Sequence, residues 1–332
     1  MKKTIVSGLC ALLLTAALPV CAAAQELALG GRPLGIELLT EGVTVAGFAE
    51  VETDGGAVSP AREAGVLEGD RIVRIGGQPI GGAQDFIDAV ERLQGDPAEI
   101  GLLRAGQSQT LQIRPARAKD GQWMLGLWLR DQSAGIGTLT FYDPETGIYG
   151  ALGHGVSDET TGETLPIRGG RITDAQIVDV HPGSKGEPGE LSGCADRGCV
   201  LGDVTQNSEK GVYGRAAAAL GGDLTETGTA QPGPASIVTT LAGREAQAFS
   251  VEISRVYTEA GAQRLLLTVT DPALRQAAGG IVQGMSGSPI LQDGRLVGAV
   301  THVLVSDPCR GYGIGIRDML AEAGICREEL AA

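Results

Sequence analysis

Apolar residues in this chain fall mostly into short runs broken by glycine. Beyond residue 119 the runs follow one another closely: "GIGTLTFYD", "GIYGALGHGV", "QIVDVHPG", "GVYGRAAAAL", "ASIVTTL", "AFSVEISRVYT", "QRLLLTVTD", "PILQDGRLVGAVTHV" and "GYGIGIRDML". Their length and spacing predict the many strands of a barrel or sandwich. Helical spacing is rare there, limited to "PALRQAA" and the C-terminal stretch 317–323. Residues 31–118 read differently. "GVTVAGFAEV" and "DRIVRIGGQPI" predict strands, and "AQDFIDAVERLQ" sets Phe86, Ile87, Val90 and Leu93 at helical period. "AEIGLLRAGQSQTLQIRPA" predicts a hairpin turning at Ala105-Gly106-Gln107.

The pattern thus divides the chain into a small α+β unit at 31–118 and a mainly β unit at 119–332, in line with a length of 332 residues. The 52 glycines and 3% aromatics agree with a turn-rich β architecture. Ahead of both units, residues 1–24 place Lys2 and Lys3 before an apolar run from Ile5 to Val20 and then "CAAA". This is the layout of a secretory signal, with an uncleaved membrane anchor as the alternative. Either way the body of the protein is expected to be exported, and any membrane contact falls to this segment. "LPVC" is a poor lipoprotein signal because Val20 occupies a position that wants a small residue.

Net charge is −14 and no basic stripe is visible, which excludes nucleic acid as an expected partner. An exported chain can form disulfides. Cys194 and Cys199, in "CADRGC", are placed to close a small loop, and Cys309 and Cys326 to tie down the C-terminus. The three histidines, His154, His181 and His302, do not stand at zinc-site spacing from a cysteine pair, so no metal is expected. No phosphate loop or dinucleotide fingerprint is present, and the reading calls for no cofactor.

The stretch "GGIVQGMSGSPI" carries chemistry. A Gly-x-Ser-Gly turn contributes little packing, and suits a place where a reacting atom must approach the backbone. Ser286 is the candidate nucleophile, with the N–H groups of Gly284 and Ser286 as an oxyanion hole. The plain alternative is a glycine-rich hairpin turn. Of the histidines, His154 leads as the base because Gly153 and Gly155 leave its ring accessible. His181, in "DVHPG", reads as a turn residue, and His302, in "GAVTHVLV", as a core or rim residue. The orienting carboxylate is open on residues alone. Asp271 suits the N-cap of a helix at 272–278 that begins with proline, and Asp158, Asp174 and Asp203 are rivals.

Two resemblances sharpen this. "SPAREAGVLEGDRIVRIGGQPI" is similar to the core of a bacterial PDZ domain. The likeness implies peptide binding by strand addition, with Leu34, Gly35 and Ile36 of "PLGIEL" in the carboxylate-loop positions. "YGALGHGVSDETTG", "LGDVTQNSEKGVYG" and "TDPALRQAAGGIVQGMSGSPILQDGRLVGAVTHVLVSDPCRGYGIGI", behind that PDZ unit, resemble the SpoIVB family of stage IV sporulation serine peptidases. This resemblance implies a chymotrypsin-like double β-barrel at 119–332 and a triad of His154 as base, Asp271 as orienter and Ser286 as nucleophile. It also implies self-cleavage near the N-terminus, and cutting of the extracytoplasmic part of a membrane-bound regulator in the space between forespore and mother-cell membranes. That cut starts intramembrane proteolysis and sigma-factor activation. The rival class is a non-catalytic PDZ-containing module that binds peptides at the cell envelope.

Overall fold

The computed structural model describes residues 25–158 and 162–325. Residues 1–24, expected as a leader, and Cys326 lie outside the described residues. Among these, no helix is long and apolar enough to cross a membrane.

In chain order the principal strands are β1 (Pro33–Phe48), β2 (Arg71–Ile75), β3 (Ala98–Arg104), β4 (Gln107–Ile113), β5 (Leu127–Tyr142), β6 (Ile148–Ala151), β7 (Ile167–His181), β8 (Glu190–Ser208) and β9 (Gly211–Ala216). They continue with β10 (Gly233–Thr239), β11 (Gln247–Glu259), β12 (Ala262–Val269), β13 (Pro289–Gln292), β14 (Arg295–Val303) and β15 (Arg310–Gly315). The helices are α1 (Pro60–Glu63), α2 (Ala83–Arg92), α3 (Pro272–Ala278) and α4 (Ile316–Glu322).

Strands β10 to β15 close into a six-stranded barrel. Its inner face follows from period-2 alternation. Along β11, Phe249, Val251 and Ile253 point inward while Ser250 and Glu252 face out. Leu265 and Leu267 of β12, with Ile290 and Val300, complete the core. A second ring closes through the pairings β1–β5, β5–β6, β6–β9, β9–β8, β8–β7 and β7–β1, all antiparallel. Leu34, Ile36, Leu38, Leu139, Ile172 and Val204 fill it. Leu27, Phe141, Tyr213, Leu296, Ile314 and Met319 of α4 form a further apolar cluster that draws on strands of both barrels.

The unit at 31–118 is not a bead on the N-terminal side. It is inserted between β1 and β5, and shares both strands with the first barrel. Residues 33–40 of β1 pair with β5 on one side and β7 on the other; residues 43–44 pair with β2. Strands β2, β3 and β4 then extend the sheet. The expected boundary at 31 is therefore displaced, because two long strands are each long enough to belong to two cores. Helix α2 packs Phe86, Ala89 and Val90 onto this unit, whereas Ile87, expected on the apolar face, is 56% exposed. The hairpin turns at Ala105 (φ 48°) and Gly106 (φ 73°), two positive-φ residues in succession as a tight two-residue connection demands. The Gly69-Asp70 turn is fixed by a buried carboxylate: Asp70 accepts from the Leu67 N–H at 2.8 Å and from Arg104 at 2.7 and 2.8 Å.

The expected disulfide between Cys194 and Cys199 is corrected: both are free thiols. The ladder with β7 holds this segment instead: Cys194 stands opposite Gln176, and Cys199 lies in the bulge between Asp196 and Val200. The Cys309–Cys326 pairing involves Cys326, outside the described residues.

Candidate active site

Helix α3 ends at Gly279 in the left-handed region (φ 74°), and the chain then crosses to β13 through 280–288. The backbone here is engaged almost throughout. Met285 N–H donates to Val282, Gly287 N–H to Val300 at 2.8 Å, and Ser288 N–H to Met285 at 2.9 Å. The carbonyl of Gln283 accepts from Leu191 N–H. Among the described residues, the N–H groups of Gly284 and Ser286 alone in 283–288 donate no hydrogen bond. These are the two donors that the sequence singled out for an oxyanion. Gly284 sits at φ 92°, a conformation open to glycine and strained for other residues.

His154 comes from the first barrel. Strand β6 ends in a tight γ-turn centred on Leu152 (φ 67°), with Gly153 N–H donating to Ala151 at 2.9 Å. A non-glycine residue at positive φ is uncommon, and its position next to His154 marks a place where the fold tolerates strain to aim a side chain. The His154 Nδ1 lies 2.8 Å from the Gly155 carbonyl. A carbonyl only accepts, so Nδ1 carries the proton and Nε2 presents its lone pair. The ring stacks on His302, with centroids 4.3 Å apart and planes tilted by 32°. Burial pushes the His154 pKa below its ordinary value, and His302 is pushed down to about 4 by burial, by His154 and by Arg264. Both rings are therefore neutral at pH 7.

Ser286 donates its hydroxyl to the Thr301 carbonyl at 2.6 Å. Thr301 and His302 are consecutive on β14, so Ser286 and His154 meet at neighbouring residues of one strand. Beside them opens a cleft of about 710 Å³ lined by His154, Ser157, Thr164, Asn207, Ser208 and His302. Asn207 holds its wall in place: its amide accepts from Val156 N–H and donates to the Val156 and Leu165 carbonyls, at 2.8 to 2.9 Å. Neither Asn207 nor the stacking role of His302 had a sequence signal beyond polarity.

Asp271 is not brought to His154. Its carboxylate accepts from Ala273 and Leu274 N–H at the start of α3 and from Ser250 N–H, and these bonds hold its pKa below the usual carboxylate value. It is the N-cap that its position before proline suggested. Asp174 is committed to Arg32 and Arg244. The group that orients the His154 ring here is the Gly155 carbonyl. His181 is exposed and lies 3.7 Å from the Asp179 carboxylate. No group of three His, Cys, Asp or Glu among the described residues could hold a metal ion.

The carboxylate-loop expectation is also corrected. Leu34, Gly35 and Ile36 lie inside β1 with strands on both sides, Gly35 opposite Ile136 and Thr173. Both edges of the backbone are occupied there, which leaves no cradle for a peptide end. The strand beside α2 with one open edge is β5, whose residues 127–137 pair only with β1. It is entered through Leu125-Gly126-Leu127, with Gly126 at φ 72°, and Asp131 accepts from the Ala83 N–H at the start of α2. A second Leu-Gly-apolar tripeptide before an apolar strand was the signal that could have located it.

An acid limb follows from the burial of His154. The kcat/KM profile is expected to fall only below pH 6.5, since a lowered pKa keeps the base neutral further into acid. A limb at or above the ordinary histidine value would contradict the buried ring. Stability moves with the same sign. Between about pH 6.5 and 4 the unfolded chain binds the His302 proton that the folded chain rejects, so stability declines as pH falls through that window.

Residues 121–320 match the family model described as SpoIVB peptidase S55, and residues 53–104 match that of a PDZ domain. Among solved structures, the chain is similar to the PDZ domain of an SdrC-like protein from Listeria monocytogenes, with 28% identity over 27% of this chain and 90% of that one, at a TM-score of 0.23. It is also similar to Rv3671c from M. tuberculosis, a serine-to-alanine mutant in an inactive form, with 12% identity over 58% of this chain and 83% of that one, at a TM-score of 0.32. The peptidase match spans well over half of the sequence, with the Ser286 turn and His154 both inside it, and the chain belongs to the SpoIVB peptidase S55 family.

Proposed function

We propose that Ser286 is the nucleophile and His154 the general base of this serine peptidase, with the Gly284 and Ser286 N–H groups as oxyanion donors. The observation that carries this reading is the pair of unengaged N–H groups on either side of Met285, in a segment where the neighbouring donors are satisfied. In the resting form the Ser286 hydroxyl is parked on the Thr301 carbonyl. Rotation about its Cα–Cβ bond transfers the hydroxyl to His154 Nε2, which takes the proton as Oγ attacks the scissile carbonyl. The protonated ring then gives that proton to the leaving amine, and water repeats the sequence to release the acyl group. The Gly155 carbonyl keeps Nδ1 protonated throughout.

Substrates are proteins or peptides. The finer reading takes the extracytoplasmic part of a membrane-bound regulator as the target, and the chain itself as a second substrate cut near its N-terminus. It places the enzyme between the forespore and mother-cell membranes, where the cut would activate a sigma factor through intramembrane proteolysis. The export-type leader and the family support that reading. The open edge of β5 beside α2 gives the PDZ unit a place for an extended segment to add as a strand. Labelling with a fluorophosphonate, mapped by mass spectrometry, tests the core of this reading. Modification of Ser286 supports it, and an unmodified Ser286 in the folded protein removes the peptidase assignment from this residue.

Asp271 supplies a separate test. Replacement by Asn keeps a good N-cap and is expected to leave kcat within a few-fold, while Ala is expected to lower stability by about 1 kcal/mol through loss of the cap. A fall of about 10⁴-fold in kcat for the Asn variant at unchanged stability would instead restore Asp271 as the orienting carboxylate.

A further inference from the structure

We propose that Thr138 is a positioning residue for the oxyanion hole, acting from the opposite barrel. This deepens the peptidase reading and rests on it. Thr138 lies on β5 and is buried, 2% exposed. Its Oγ1 donates to the Gly284 carbonyl at 2.8 Å, and its N–H donates to the Ser286 carbonyl at 3.0 Å. One residue thus holds the carbonyls of both amino acids whose N–H groups face the oxyanion. Two positions along the strand, Thr140 Oγ1 donates to the Gly287 carbonyl at 2.8 Å.

The consequence follows from peptide planarity. Fixing the Gly284 carbonyl fixes the whole plane between Gly284 and Met285. Fixing the Ser286 carbonyl fixes the plane between Ser286 and Gly287. The plane that carries the Ser286 N–H lies between those two, and its own carbonyl, that of Met285, is held by Ser288 N–H. The Gly284 N–H is in turn set by the Gln283 carbonyl on Leu191 N–H. Gly284, at φ 92°, has the most freedom to turn, and the bond to Thr138 Oγ1 is what keeps its carbonyl from swinging round. The 284–285 peptide links the plane of the Gly284 N–H to the plane of the Ser286 N–H, so loss of that hydroxyl would let this link turn and shift the two donors relative to one another. The ground-state substrate complex uses this pair of N–H groups weakly, and the tetrahedral intermediate uses it fully.

The same strand forms the open edge of the PDZ unit in its first half, so Thr138 sits at the end of a continuous backbone that links that edge to the hole.

The test compares Thr138→Val, Thr138→Ala and Thr138→Ser in the full chain, with p-nitrophenyl acetate turnover for kcat and KM, and the rate of fluorophosphonate labelling at Ser286. Deleting one oxyanion donor outright lowers kcat about 10²- to 10³-fold. Loosening one is expected to lower kcat about 10- to 100-fold for Val and Ala, with KM changed by less than about threefold. Ser, which keeps the hydroxyl, is expected to retain most of the rate. Should the Val variant fail to fold, the Ala and Ser pair carries the comparison. Equal kcat and equal labelling rates for Ala and Ser overturn the proposal, as does a change confined to KM or to melting temperature. If the unaltered protein folds but is not labelled at Ser286, the peptidase reading itself fails, an outcome distinct from equal labelling across the Thr138 variants.

Discussion

Ser286→Ala and His154→Ala are each expected to lower turnover about 10⁴- to 10⁶-fold, and the double variant to fall no further than the worse single one. The reason is that nucleophile and base act as one unit: removing either leaves only substrate binding and the oxyanion donors. The structure brings the two side chains from different barrels to consecutive residues of β14, Ser286 through its hydrogen bond to Thr301 and His154 through its stack on His302. Hydrolysis of p-nitrophenyl acetate measures the loss, and fragment masses of the protein from residue 25 onward report self-cleavage. Variants that behave like the unaltered protein in both assays would show that the turn at Ser286 is not catalytic. The weight would then pass to the PDZ unit as a peptide-binding module.

Gly287→Ala is expected to destabilise the protein by at least about 3 kcal/mol, among the larger effects a single substitution produces. A Cβ at this position would stand 2.1 Å from the Thr138 carbonyl oxygen and 2.5 Å from the Leu152 nitrogen. Both are backbone atoms, so no side chain can move aside. The residue also sits at φ 94°, where an L side chain adds strain. The two barrels would have to part at the line where Thr138 and Thr140 bond the 284–287 segment. Gly294→Ala is the control, since Gly294 has φ 75° and nothing within 4 Å of an added Cβ. It is expected to cost only the conformational strain, about 1–2 kcal/mol. Urea midpoints at equal m-value compare the two. Equal losses would show that the close approach of β5 to the turn does not hold in solution. A large loss for Gly287 alone, with residual activity abolished, would fit the approach and its role in shaping the hole.

Much of this molecule is legible in local sequence. Alternation along "QAFSVEISR" predicts which residues of β11 face inward, and the spacing of Phe86 and Val90 predicts α2. Asp271 before Pro272 predicts a capped helix, and the cap is what the carboxylate does. Each of these rests on contacts within a few residues, where periodicity and turn chemistry act directly. Gly284, Ser286 and His154 were also within reach, because a Gly-x-Ser-Gly turn and a glycine-flanked histidine are local patterns with a chemical use.

Sequence by itself determined most of the strands and helices, most of their buried faces, and the serine turn with Gly284 and Ser286 as its candidate donors. Periodicity shows which face of a strand is apolar and is silent about which strand it meets. Only the tertiary structure decided that β1 and β5 each serve two cores, that Leu34, Gly35 and Ile36 lie in a barrel wall, and that the ring of His154 rests on His302. It alone showed that Asp271 stays at its helix and that the Gly155 carbonyl orients the base. The bond from Thr138 to Gly284 joins residues 146 positions apart through a hydroxyl and a main-chain carbonyl. Every residue carries such a carbonyl, so the identity of that partner leaves no mark on the local sequence, and closure of the barrels selects it.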